Sequence, residues 1–234
     1  MQSVAAELAL SETAFLKSAG GTWSLRWFTP TTEVSLCGHA TLAAAHWLWQ
    51  QRLASPASAL VFQTASGALR AIQTGVAIEL ELPIRALERT PPPRGWKRAL
   101  PSTDVRWLGT SSRGAGERNA LVLTTCRDLA QLQPDLDAMR KLPIGGWIIT
   151  ARGIPETADV FSRYFAPRLG VDEDPVTGSA HATLASYWPQ ILGRPHFHAR
   201  QISARGGEID VTVHRQRVRL AGRAVTVAEL KLTL

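Results

Sequence analysis

The pentapeptide HATLA stands at residues 39–43 and again at 181–185. The text before each copy matches as well. "RWFTPTTEVSLCGHATLA" starts at Arg26 and "RYFAPRLGVDEDPVTGSAHATLA" starts at Arg163, so each copy has Arg, an aromatic residue, Phe, a variable residue and Pro. A loop, a glycine and an Ala-rich run follow. The second loop is longer by five residues, since Arg26 to His39 spans 13 positions and Arg163 to His181 spans 18. Aromatic residues in alternation favour a strand, and a run of small apolar residues favours a helix. The chain therefore carries one strand, loop and helix unit twice, and any fold it adopts has to place two like units in 234 residues.

That length, with 45% hydrophobic residues, suits one large domain or two modest ones with buried cores. Residues 2–9, "QSVAAELA", are strong helix formers with no start signal ahead of them. Strand-like text follows at "TAFLKS", "WSLRWFT", "ALVFQTA", "ALRAIQT" and "VAIELELP", with the helix "GHATLAAAHWLWQQRL" among them. Its mostly apolar character predicts a helix buried nearly all round, as inside a curled sheet. The triple proline of "RTPPPRGW" (89–96) removes donors and fixes extended backbone, which marks a linker. Beyond it come strands at "VRWLGT" and "NALVLTT", a helix over "CRDLAQLQPDLDAMRKL", strands at "GWIITAR" and "ADVFSRYFA", and the second Gly-initiated helix. "HFHARQIS", "EIDVTVH", "RVRLAG" and "AVTVAELKL" read as antiparallel strands joined by short turns. Strands and helices do not alternate regularly, so the class is α+β with two sheet-plus-helix lobes. The boundaries expected are 1–92 for an N-terminal lobe and 93–234 for a C-terminal one, whose last strand can return to the first lobe.

Several function classes drop out on composition. Two cysteines, Cys37 and Cys126, are too few for a disulfide framework and stand in no CxxC pair. No apolar stretch approaches the roughly 20 residues that span a bilayer, and the N-terminal text lacks a signal peptide's basic start and apolar core, which points to a cytoplasmic protein with no membrane partner. The formal charge of +7 is concentrated late, where Arg215, Arg217 and Arg219 alternate on one face of what reads as a strand. No aromatic platform or nucleic-acid motif accompanies them, so a solvated strand face is the better reading and no nucleic-acid partner is expected. His196 and His198 share a strand face without a third ligand nearby, and no metal or cofactor is expected.

The chemistry concentrates at the two helix starts. Each exposes unpaired backbone N–H groups and the positive end of a helix dipole, so Gly38 and the Thr177, Gly178 and Ser179 triplet can each hold an anion. If the two lobes pack about a pseudo-twofold axis, both starts face one cleft and clasp a small carboxylate; equally, Gly and Ser are ordinary helix-start residues, and Ser179 alone reads as a cap. "LSETAF" places Glu12 between the hydroxyls of Ser11 and Thr13, and "DEDPVTGSA" places Asp174 just ahead of the second helix. On its own Glu12 is a solvated carboxylate and His39 a capping or buried polar residue.

Taken together, "LSETAF", "RWFTPTTEVSLCGHATLAAAH" and "RYFAPRLGVDEDPVTGSAHATL" resemble the signature segments of the phenazine-biosynthesis PhzF-like family, relatives of diaminopimelate epimerase. The resemblance runs from the first residues to the C-terminal strands. It implies two pseudo-symmetric lobes, each a curled, mostly antiparallel sheet around a central helix, with a cofactor-independent isomerase site in the cleft and a homodimer as the assembly. Carried over residue by residue, it makes Glu12 the acid/base, with His39, Asp174 and Ser179 beside it and Ser11, Gly38, Thr177 and Gly178 holding substrate. A single carboxylate can move a proton within a small acid if both carbon positions share one face, and shelter in the cleft would raise its pKa. Epimerase relatives use two opposed thiols; here Cys37 precedes the first helix while "DEDPVTG" has none, and Cys37 reads as a small buried residue. Family members usually begin with a strand and a "GNP"-like segment, so about two dozen family residues, including a first-lobe strand, are expected to be absent, leaving backbone groups for a partner or water to satisfy. A non-catalytic protein that binds a small acid in a degenerate cleft is the alternative.

Overall fold

In the computed structural model of the protein, the described residues are 1–20, 22–101, 104–114, 117–154 and 156–231. Helix α1 (Gln2–Leu8) leads into the hairpin of β1 (Thr13–Ala19) and β2 (Thr22–Phe28), and β3 (Glu33–Val34) pairs with the end of β2. Helix α2 (Gly38–Gln50) then crosses over, so that β4 (Leu60–Thr64) returns parallel to β2, and β5 (Gly67–Thr74) and β6 (Ala77–Pro83) follow as an antiparallel meander. The alternation in β5 and β6 does what period-two text requires. Leu69, Ala71, Ile78, Leu80 and Leu82 point inward, while Arg70 and Ile72 are exposed and Glu79 and Glu81 half-buried on the other face.

The second half contains β7 (Leu87–Glu88), α3 (Trp96–Ala99), β8 (Val105–Gly114), β9 (Glu117–Thr124), α4 (Cys126–Gln131), α5 (Leu136–Lys141), β10 (Gly146–Arg152), β11 (Val160–Phe165), α6 (Gly178–Leu184), α7 (Trp188–Leu192), β12 (His196–Gln201), β13 (Gly207–His214) and β14 (Arg217–Gly222). The single helix expected over 126–142 is two helices, because Pro134 lacks a backbone donor and turns the chain extended at Leu132. Thr125 and Asp135 cap the two pieces through Asp128 N and Ala138 N.

Strand order carries the duplication into three dimensions. The sheet runs β1-β2-β4-β5-β6-β14-β13-β12-β11-β10-β9-β8-β7. From β1 to β6 the successive pairings are antiparallel, parallel, antiparallel and antiparallel; from β10 to β14 they repeat in the same order. The two halves meet where β6 and β14 pair antiparallel, with Leu80 opposite Leu220 and Leu82 opposite Val218. Each lobe is thus a curled sheet around a central helix, α2 in one and α6 in the other. One apolar cluster includes side chains from both lobes, among them Leu48, Phe62, Leu80, Leu184, Trp188, Phe197 and Leu220. A second cluster lies on the other face of the second lobe, where Trp147, Ile149 and Ala151 of β10 meet Trp96, Leu129 and Met139. That double coverage explains why "GWIITA" shows no polar alternation.

Four further expectations change. Helix α2 is not buried all round: Trp47 is 40% exposed and Ala43 and Gln50 face outward, whereas every residue of the shorter α6 is buried. Arg215 does not share a strand face with Arg217 and Arg219, since it occupies the β13–β14 turn with φ 55°. The text "AVTVAELKL" forms no strand over 224–231, its last residue lying outside the described ones. β14 already has neighbours on both edges, so the tail lacks a ladder partner; its Thr226 and Glu229 instead bond Gln50, the last residue of α2, and Gln51, its C-cap. β12 also departs from the antiparallel reading on one side, running parallel to β11.

Candidate active site between the two helix starts

The repeated Arg and Phe have a local job. Arg26 lies 5.1 Å from the Phe28 ring centroid and binds both carboxylate oxygens of Glu33; Arg163 lies 4.9 Å from the Phe165 ring centroid and binds both oxygens of Glu173. In each lobe the arginine fastens its strand, by a bidentate pair, to the segment that leads on to the helix. The loops then deliver the helix starts to the junction of the lobes. A methyl on Gly38 would come within 3.0 Å of Gly178 Cα, and one on Gly178 within 3.1 Å of Gly38 Cα, so the helix tips touch backbone to backbone and need glycine at both places.

Around this contact lies a small cleft lined by Glu12, Leu36, Cys37, Gly38, His39, Tyr164, Asp174, Thr177, Gly178 and Ser179. His39 Nε2 is 3.1 Å from Glu12 Oε2, and His39 Nδ1 is 3.8 Å from Asp174 Oδ1. Because Val176 O can only accept, its 2.7 Å contact with His39 Nδ1 fixes a proton on that nitrogen and aims Nε2 at Glu12. The carboxyl groups are sheltered, with 11% of the Glu12 side chain and 4% of that of Asp174 exposed. Burial alone would lower the His39 pKa; the Cys37 sulfur and the Glu12 and Asp174 carboxyl groups oppose it and hold the imidazole well above its usual 6.5. Burial pushes the Cys37 thiol up to about 11, so at neutral pH it is an uncharged thiol 3.7 Å from His39 Nε2.

Of the eight residues predicted for the site, Glu12, Gly38, His39, Asp174, Thr177, Gly178 and Ser179 line this one cleft. Ser11 sits beside Glu12 but is not among the lining residues. Ser179 is not a cap, for the helix begins at Gly178 and Ser179 is its second residue. His196 and His198 lie apart on β12, where they bond Thr212 and Asp210. Among the described residues, the group able to offer three metal-ligating atoms is Glu12, Cys37 and His39, whose atoms lie within 4.8 Å of one another.

The profile of the phenazine biosynthesis-like protein family matches residues 1–230. The chain belongs to this family. An uncharacterized isomerase of Pseudomonas aeruginosa is 43% identical over 100% of this chain and 87% of its own length. The crystal structure of a PhzF-family phenazine biosynthesis protein from Enterococcus faecalis superimposes with a TM-score of 0.83 at 36% identity, covering 97% of this chain and 84% of that one. A probable proline racemase from Agrobacterium radiobacter shares the fold alone, with a TM-score of 0.64 at 13% identity over 99% of this chain and 81% of that one. Family membership and isomerase-named relatives together make an isomerase-type function the general assignment for this PhzF-like protein.

Two residues beyond the predicted eight also support the site. Gln201 of β12 is fully buried and brackets the second loop: its carbonyl accepts from Thr177 N at 2.8 Å, and its amide donates to Asp174 O at 2.6 Å and to Thr177 Oγ1 at 3.1 Å. The Thr177 hydroxyl in turn donates to Asp174 Oδ2, which turns the other oxygen toward His39. A lone glutamine in a basic strand carries no sequence signal for this role. Tyr164 occupies the aromatic slot of the repeat, and its hydroxyl donates to Asn119 at 3.1 Å while its carbonyl accepts from Asp174 N. Its counterpart in the first copy is Trp27, so the repeat shows the position but not that one copy lines the cleft.

Proposed function

We propose that the protein isomerises a small carboxylate substrate by moving a proton between two carbons on one face, with Glu12 as the single acid/base. The observation that carries this reading is the 3.1 Å pairing of Glu12 with a histidine whose other nitrogen is anchored, in a sheltered cleft flanked by two helix starts. Glu12 takes a proton from carbon; the negative charge left on the substrate is met by the protonated His39 and by the dipoles of the helix starts; Glu12 then returns the proton to a second carbon. Nothing is consumed or released, so the step needs no cofactor. Backbone N–H groups at Gly38, Gly178 and Ser179 hold the substrate carboxylate, and His39 and Asp174 bond its other polar groups. Inversion by two opposed thiols is disfavoured, because the residue matching Cys37 at the start of the second helix is Thr177, and Cys126 packs beside the second apolar cluster.

The test is a set of small cyclic and amino-acid-like carboxylates incubated with the protein in deuterated water. A catalysed reaction puts deuterium on carbon in at least one of them and yields an isomer. Saturable binding with no exchange in any of them would favour the alternative, a small-acid binding protein. Such ligands can be found first by thermal stabilisation, which at a hundredfold excess over Kd amounts to about 2.7 kcal/mol.

A further inference from the structure

The cleft also holds a set of atoms that proton transfer does not require together. Proton transfer uses Glu12 and His39, yet the Cys37 sulfur lies 3.7 Å from His39 Nε2, the same nitrogen that faces Glu12 Oε2 at 3.1 Å. In a tetrahedral zinc site with Zn–N and Zn–O near 2.0 Å and Zn–S near 2.3 Å, neighbouring ligand atoms are about 3.3–3.6 Å apart. The Glu12–His39 edge at 3.1 Å is already close to that, while the Cys37 sulfur, 3.8 Å from His39 Nδ1 and within 4.8 Å of the Glu12 oxygen, closes on the metal by turning about its Cα–Cβ bond. The ring is already held as a ligating histidine is usually held, by Nδ1–H donating to a backbone carbonyl, here Val176 O at 2.7 Å. With 24% of the His39 side chain exposed, water can reach the cluster and fill a fourth position.

We infer that Glu12, Cys37 and His39 form a site for one zinc-class divalent cation, and that this cation holds the cleft in an inactive state. A thiolate, an imidazole and a carboxylate select zinc or cobalt over magnesium or calcium, which prefer oxygen alone. On binding, the metal forms bonds to Cys37 Sγ, His39 Nε2 and a Glu12 oxygen. The thiol proton and the Nε2 proton leave to water, nothing is oxidised or reduced, and two positive charges replace two protons, so the net charge of the cluster is unchanged. Inhibition follows because the metal occupies both Glu12 and the nitrogen that assists it; only this part of the inference rests on the proposed isomerase reading.

The experiment is a titration of the metal-free protein with cobalt(II) under anaerobic conditions, followed by absorbance. The expected result is a cobalt-thiolate charge-transfer band in the near ultraviolet that saturates at one equivalent, is bleached by zinc and is untouched by magnesium. Cys37→Ser abolishes the band, Cys126→Ser keeps it, and Glu12→Gln and His39→Gln each weaken binding by about tenfold or more. Absence of the band, its persistence in Cys37→Ser, or its loss in Cys126→Ser overturns the site. If Cys37→Ser does not fold, unchanged cobalt affinity in Glu12→Gln and His39→Gln overturns it instead. The optical signal needs no substrate, so a band in a protein that exchanges no carboxylate would sink the isomerase reading and keep the metal site, while exchange without a band would do the reverse.

Discussion

His39 and His181 occupy the same place in the same pentapeptide, yet their surroundings push them in opposite directions. His39 projects into the cleft toward Glu12 and Asp174 and is held well above 6.5, whereas His181 is fully buried, donates to Thr177 O from Nδ1 at 2.8 Å and is lowered by burial to about 4. Proton NMR of the two rings should therefore show one imidazole titrating well above 6.5 and one neutral down to about pH 4; matching titrations near 6.5 would contradict the site geometry. The signs differ for stability too. A base with a raised pKa stabilises the fold below its unfolded value and loses that contribution as pH rises through the folded one; a base with a lowered pKa stabilises above its unfolded value and loses it as pH falls. His181 accordingly makes the protein weaken between pH 6.5 and about 4, by roughly 3 kcal/mol at 1.36 kcal/mol per pKa unit. Gln201→Leu leaves the Thr177 N–H and the Asp174 carbonyl without their buried side-chain partner, and should cost about 2 kcal/mol or more in urea unfolding. Glu12, His39 and Asp174 stood out only through the resemblance of three motifs taken together, each being an ordinary polar residue by itself; Gln201 did not, because a glutamine shows its partners only after β12 is laid beside the loop.

The elements that matter most are the two helices and the loops that aim them. Their existence was plain in the sequence, since alanine runs after a glycine admit few alternatives to a helix. Their burial was harder to read: "TLAAAHWLW" is nearly all apolar, yet Trp47 faces out, because the neighbours that cover a helix come from elsewhere in the chain. The tail itself shows the same limit, as β-branched alternation describes a strand that no free sheet edge accepts. The glycine contact between the helix tips gives a direct test. Gly38→Ala would gain about 0.5–1 kcal/mol of backbone entropy, but its methyl stands 3.0 Å from Gly178 Cα, and forcing the tips apart costs about 1–3 kcal/mol. A lowered melting temperature with weakened carboxylate binding is expected; a more stable variant would show that the tips do not touch.

At the scale of the whole molecule, the repeat is what creates a site. One lobe supplies Glu12 and His39 and the other Asp174, Thr177 and Ser179, so neither completes the cleft alone. The two-lobe architecture could be anticipated from matched motifs, but the β6–β14 pairing that locks the lobes together could not, since "VAIELELP" and "RVRLAG" are ordinary strand text. Leu220, opposite Leu80 on that seam and packed in the shared cluster, makes the seam testable: Leu220→Ala should cost about 2–5 kcal/mol and lower a single calorimetric transition, while two separate transitions would mean lobes that fold independently. The central claim is that Glu12 is the group that moves the proton. The most direct measurement compares solvent deuterium incorporation into a turned-over carboxylate by the wild-type protein and by folded Glu12→Gln. The account predicts a loss of about 10²-fold or more, since general acid/base catalysis contributes typically 10²–10⁴-fold; exchange by Glu12→Gln at the wild-type rate would contradict it.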